Sequence, residues 1–239
     1  VIVYGRNSVR EALRGRRSHA VGEVWATTGA ARESWLEGME VRSASAEEIA
    51  RHCGSDAHQG ICADAGAYPY SGSGELLAGE TPLLIALDQV QDPQNLGSIC
   101  RTAECAGAAG VVIPERRAVE VTPAVCKASA GAVEHLRVAR VRNLADFLAE
   151  ARRAGCWSYG AAAEGASERA PVPYDAPDYG GAGVVLVLGS EGSGLRPRVA
   201  KACDELIALP LLGRIGSLGV SAAAAAILYE ILQSRGGKP

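Results

Sequence analysis

From Thr81 onward the chain repeats one pattern: a short, largely apolar run, then a stretch long enough for a helix. The runs are Leu83–Leu87, Gly110–Ile113, Leu136–Val141, Trp157–Ala161, Val184–Leu188 and Leu206–Leu209, with helices predicted near 95–107, 123–130, 143–154 and 220–234. A strand that is apolar at every position must be covered on both faces, which points to a parallel sheet with helices on either side. In such sheets ligands bind at the carboxyl ends of the strands. The Pro- and Gly-rich stretch Glu164–Gly183 reads as a long surface loop.

The first part alternates on a smaller scale. Val21–Ala26, Glu40–Arg42 and Gly60–Ala63 read as strands, and Ala30–Leu36 and Ser45–His52 as helices. Ser8-x-x-Glu11 and Ser45-x-x-Glu48 have the form of capping boxes. A short helix over 9–14 would turn Val9 and Leu13 toward the core and put Arg10 and Arg14 on one outer face, with Arg6 and Arg17 extending it. Such a stripe suits a phosphate backbone, although a solvated helix face has the same composition. The net charge of −3 adds no nucleic-acid signal. Tyr68-Pro-Tyr-Ser-Gly-Ser-Gly then breaks all periodicity and predicts a flexible connection with nothing to bury. The expected division is a unit at 1–69, a linker at 70–80 and a larger unit at 81–239.

Composition removes several classes. Hydrophobic residues make up 48% of the chain, enough for real cores. No apolar run approaches the roughly 18 residues that a membrane span needs. The opening residues carry no basic segment followed by a long apolar one, so no secretory signal is expected, and Val1 in place of Met suggests trimming. Seven cysteines, none in a Cys-x-x-Cys pair, read as reduced thiols of a cytoplasmic protein. His52, Cys53, His58 and Cys62 are zinc-binding types without a zinc spacing, so local packing is the reading and no metal is expected.

Three strand-to-helix junctions hold residues that packing alone does not require. The first runs from Leu87 through Asp92-Pro-Gln-Asn95 to Arg101. Its helix would bury Leu96, Ile99, Cys100 and Ala103, leaving Arg101 facing away from the core, close to the end of strand Leu83–Leu87. The second, Gly189-Ser-Glu191-Gly-Ser-Gly194, puts glycines where a backbone can approach a ligand, with a carboxylate inside the turn. It matches neither the dinucleotide fingerprint nor the phosphate-binding loop with Gly-Lys-Ser/Thr. The third, Leu209-Pro-Leu-Leu-Gly213-Arg-Ile-Gly-Ser217-Leu218-Gly219-Val-Ser221, interleaves apolar residues with glycines, a wall suited to a flat, apolar ligand held by backbone groups.

In this order the three junctions resemble the motifs of the SpoU/TrmH family of RNA 2′-O-methyltransferases. Val3-Tyr-Gly5-Arg-Asn-Ser-Val-Arg-Glu-Ala-Leu and His58-Gln-Gly-Ile61 resemble the L30e-like domain that many members carry first. The resemblance implies an α/β chain with an L30e-like RNA-binding domain followed by an α/β-knot (SPOUT) domain, a parallel sheet closed by a trefoil knot. It implies a homodimer whose sites draw on both subunits, S-adenosyl-L-methionine as methyl donor, and RNA as substrate, a guanosine of large-subunit (23S) ribosomal RNA. By carry-over, Gly189, Leu209 and Leu218 hold the donor, Arg101 is the catalytic arginine, and Asn95, Glu191 and Ser217 are the polar residues around it. Arg6, Arg10, Arg14 and Arg17 are the expected RNA contacts. The family usually has Asn where this chain has Gly219, which keeps open an alternative: a catalytically weakened RNA-binding or ribosome-assembly factor with the same fold.

Overall fold

The computed structural model describes residues 1–163 and 169–236. The first sheet is built from β1 (Ile2–Tyr4), β2 (Val24–Ala26), β3 (Arg42–Ser43) and β4 (Ile61–Asp64) in the order β1-β4-β2-β3. Helix α1 (Arg6–Arg14) and helix α2 (Ala46–Cys53) flank it. The capping box at Ser45 forms as expected: its hydroxyl accepts from Glu48 N while Glu48 accepts from Ser45 N. The one expected at Ser8 does not. Gly5, at φ 90°, starts α1 earlier, and Ser8 lies buried with its hydroxyl donating to Cys126 O. Ala30–Leu36 is not one helix but two 3₁₀ turns, Ala30–Arg32 and Ser34–Leu36, separated by extended Glu33.

A short helix, α3 (Ser73–Leu77), follows, where a flexible linker was expected. Leu76 and Leu77 are buried, and Ser71 N donates to Val138 O. Tyr68 and Tyr70 pack on the core, so the glycines and serines of this segment mark turns between anchors rather than slack chain.

The second sheet contains β5 (Leu83–Asp88), β6 (Gly110–Pro114), β7 (Arg137–Val141), β8 (Cys156–Ala161), β9 (Val172–Pro173), β10 (Gly183–Gly189) and β11 (Glu205–Ala208). All its pairings are parallel, in the order β7-β6-β5-β10-β8-β11-β9. The remaining helices are α4 (Pro93–Cys105), α5 (Pro123–Ala128), α6 (Leu144–Arg153), α7 (Pro197–Ala202) and α8 (Val220–Ser234). Strand residues alternate between two cores. Leu83, Ile85 and Leu87 face α4, α5 and α8, while Leu84 and Ala86 face α3, α6 and α7. That double cover is what the unbroken apolar runs demanded.

Strand β1, helix α7 and strand β9 also escaped the sequence reading. Helix α7 begins on Pro197, a residue that suits a first helical turn. Strand β9 pairs with β11 inside the stretch expected to be loop, of which 164–168 lie outside the described residues. Among the described residues no helix is long and apolar enough to cross a membrane. All seven cysteines are free thiols.

The first sheet packs against the second unit through α1 and the α5–β7 connection. Arg17, 2% exposed, forms a two-pronged pair with buried Glu134, Nε–Oε2 at 2.7 Å and Nη2–Oε1 at 2.6 Å. Arg16 N donates to Glu134 O, and the Tyr68 hydroxyl lies 2.9 Å from Val133 O and 3.0 Å from Leu136 O. Val3, Val9 and Ala12 belong to the same apolar cluster as Leu96 and Ile99.

Candidate functional site at the carboxyl edge of the parallel sheet

The site begins where β5 ends. Asp92 caps α4, its Oδ1 accepting from Gln94 N at 2.9 Å, with Pro93 in the first turn. Leu96, Ile99, Cys100 and Ala103 are buried, as their spacing predicts. Arg101 is exposed and lies eight residues into a helix that runs back along the sheet, about 12 Å from its start at 1.5 Å per residue. It therefore faces away from the core but not beside the strand end, and it lines neither of the two cavities at that edge.

The second junction folds on itself. Ser190 and Gly194 exchange backbone hydrogen bonds at 3.2 and 3.0 Å, with Gly192 at φ 90° and Gly194 at φ 65°. A Cβ on Gly189 would overlap the Gly194 backbone, so this close approach requires glycine. Beneath the loop, Asp88 is fully buried and accepts from Arg196 N at 2.8 Å and Nε at 2.7 Å. This clamp went unnoticed in the sequence. Its only signal is a carboxylate ending a strand that is otherwise apolar.

Residues 209–219 lead from β11 into α8 and share a cavity wall with the 189–194 loop. Gly219 is the N-cap and offers no side chain. Glu191 Oε1 supplies the acceptor instead, 3.3 Å from Val220 N. This places the carboxylate at the positive end of a helix, a favourable position for a negative charge. Glu191 Oε2 has no hydrogen bond among the described residues.

Two cavities result. One, of about 650 Å³, is lined by Gly189, Leu209, Ser217 and Leu218, together with Ala161, Ile207 and Ile227. Its walls are largely apolar, with backbone groups from two loops. The other, of about 310 Å³, is polar and lined by Gln89, Val90, Gln91, Asp92 and Asn95. Both include Ser190, Glu191, Ser193 and Val220, so Glu191 stands on the wall between them. Of the seven residues singled out at the three junctions, six line these cavities and Arg101 does not.

The arginine stripe divides. Arg14 is exposed with no partner among the described residues. Arg6 pairs with Glu33 at 2.8 Å, and Arg10 with Glu11 at 2.7 Å. Burial raises the Glu11 pKa, but hydrogen bonds from His135 and Arg10 outweigh it and leave the group below its usual value. Arg17 is no surface cation at all. Its guanidinium is consumed by Glu134, lies 3.4 Å from Cys126 Sγ and sits over the Tyr68 ring. Of the four residues read as packing locally, His52 stacks on Trp25 at 4.6 Å, and burial pushes the Cys62 thiol up to about 12.

Residues 82–229 match the model of the SpoU rRNA Methylase family, and residues 2–71 match that of the RNA 2′-O ribose methyltransferase substrate-binding family. A Bacillus subtilis protein named for the TrmH family of tRNA/rRNA methyltransferases is 43% identical over 74% of this chain and 71% of its own length. A Staphylococcus haemolyticus protein named for the same family is 33% identical over 98% of this chain and 96% of its own. Among solved structures, an AdoMet-bound rRNA methyltransferase from Sinorhizobium meliloti superposes with a TM-score of 0.79 at 26% identity, covering 97% of this chain and 86% of that one.

Proposed function

This chain belongs to the SpoU rRNA methylase family, and from that premise we propose that it methylates a ribose 2′-hydroxyl of ribosomal RNA, a guanosine of the large-subunit (23S) molecule. It is an S-adenosylmethionine-dependent RNA methyltransferase. The observation that carries the finer reading is the pair of cavities, one apolar and one polar, that meet at Glu191.

The larger cavity fits the methyl donor. Its volume suits a nucleoside-sized ligand, its wall is apolar, and the Gly189 approach leaves backbone groups bare. Gly189, Leu209 and Leu218 would hold the group. When bound it supplies an electrophilic methyl on a sulfonium sulfur. The chain must then orient the ribose and relieve its hydroxyl of a proton. Asn95 and Ser217 orient the sugar from the two sides, and Glu191 Oε2 takes the proton directly or through the RNA phosphate. An arginine is always protonated and is a poor base, so Arg101 acts as a phosphate clamp and stabiliser of oxyanion charge. The missing side chain at Gly219 is covered by Glu191, which supports an active rather than a weakened site.

Arg101 belongs, in this reading, to the site of a second subunit. Leu212 is 98% and Ile215 77% exposed on the 209–219 segment, and Tyr229 is exposed on α8. An apolar patch of this kind marks a partner surface, and the partner we propose is a second copy, which would bring the α4 face to the other site. The trefoil knot that the family resemblance implies would be closed by the 209–219 segment, which shares a cavity wall with the 189–194 loop and leads into α8. Residues 1–69 would present the RNA and 81–239 carry out the transfer, in the cytoplasm where ribosomes are made.

The test is transfer of labelled methyl from S-adenosylmethionine to ribosomal and transfer RNA transcripts, followed by mapping of 2′-O-methyl positions. Label in a base rather than a ribose, or in transfer RNA alone, overturns the corresponding part.

A further inference from the structure

The loop after β6 carries a second basic element, separate from the stripe in α1. Residues 115–121 read Glu-Arg-Arg-Ala-Val-Glu-Val and lie across the loop between β5 and α4. Val119 N donates to Val90 O at 3.0 Å, and Gln91 Nε2 to Arg117 O at 3.5 Å. Val90 and Gln91 are walls of the 310 Å³ cavity. Strands β5 and β6 are parallel neighbours, so both loops leave the same edge, about 4.8 Å apart in strand spacing.

Two observations single this loop out. Arg117 sits at φ 58°, an uncommon region for a side chain that it shares with Gln59, Gln89 and Ala130 and that, among these four, only Arg117 fills with a cation. Neither Arg116 nor Arg117 has a side-chain acceptor among the described residues, and both are exposed. Neighbouring Arg140 behaves differently: it pairs with Glu120 at 2.9 Å and lies over the Tyr70 ring. The adjoining cavity contains Asp92 and Glu191 and no basic side chain, so an anionic substrate needs its countercharge from the rim. A strained position that keeps a long cation used by nothing in the chain is suited to an external anion.

We infer that Arg116 and Arg117 hold the phosphates of the RNA strand beside the nucleotide that enters the polar cavity. The inference rests on the RNA methyltransferase reading above and assigns a positioning role: these two set the register of the strand at the reacting ribose.

The full chain is compared with Arg117→Gly and with Arg116→Ala/Arg117→Gly. Glycine relieves the backbone at 117, so these variants fold if the native one does. The readouts are the thermal midpoint, S-adenosylmethionine affinity by calorimetry, and binding and methylation of a ribosomal RNA transcript across a salt series. An unchanged or raised midpoint and unchanged donor affinity are expected. For the double variant, RNA affinity should fall about tenfold or more and the slope of log affinity against log salt should flatten by about one to two. A folded double variant with native RNA affinity and salt slope overturns the inference, as does a large fall in the midpoint of Arg117→Gly, which would show the side chain serving the fold. Failure of the unaltered chain to methylate RNA would instead overturn the reading beneath it.

Discussion

Arg14 and Arg17 stand three residues apart in one basic segment and end in opposite surroundings. Arg14 remains in solvent, while Arg17 meets Glu134, 117 residues away in the chain. Helical spacing alone suggested that the two share a function. The helix ends at Arg14, however, and the chain beyond Gly15 turns inward against the second unit. Removing one member of a buried pair leaves the other charge uncompensated. Arg17→Ala should therefore lower stability by about 3–5 kcal/mol in denaturant titration, with RNA affinity of the folded fraction unchanged. A variant of native stability and weakened RNA binding would restore the surface role.

At the scale of elements, helix periodicity and strand hydropathy carried much of the architecture. The stripe Leu96, Ile99, Cys100, Ala103 was legible because burial of α4 needs nothing but its own spacing. Where Arg101 lands was not, since that depends on α4 running back along the sheet from its edge. Helix α3 was masked by glycines and serines that looked like slack, although Leu76 and Leu77 were already hydrophobic signals. A long-range contact also sets a pH response. Asp204, just before β11, accepts from Ser158 N at 2.9 Å and Ser158 Oγ at 2.6 Å, and pairs with Arg152. Burial raises its pKa, but these partners outweigh burial and hold it below the ordinary 3.8. A lowered carboxylate pKa stabilises the fold above the unfolded value and loses that contribution as pH falls through the folded one. Stability should thus decline below about pH 4, and Asp204→Asn should flatten that decline while costing about 1–3 kcal/mol near neutrality. Denaturant midpoints measured across the acid range check both.

For the molecule as a whole, the proposed dimer makes a prediction that no single chain can satisfy. Arg101→Ala and Gly189→Ala chains should each be inactive, the first lacking the clamp and the second displacing the 190–195 loop that walls the proposed donor cavity. Refolded together, they should recover activity, about a quarter of native for random pairing with one sound site per mixed dimer. A mixture as inactive as its parts would place Arg101's contribution within its own protomer or nowhere.

The amino-acid sequence by itself determined the parallel sheet, its double helical cover and the three junctions at its carboxyl edge, because apolar periodicity and glycine placement act locally. Only the tertiary structure decided that Glu191 caps α8, that Asp88 clamps Arg196 and that Arg17 is core. These are pairings between residues far apart in the chain, and which partners meet depends on how whole elements pack, information that no local spacing contains.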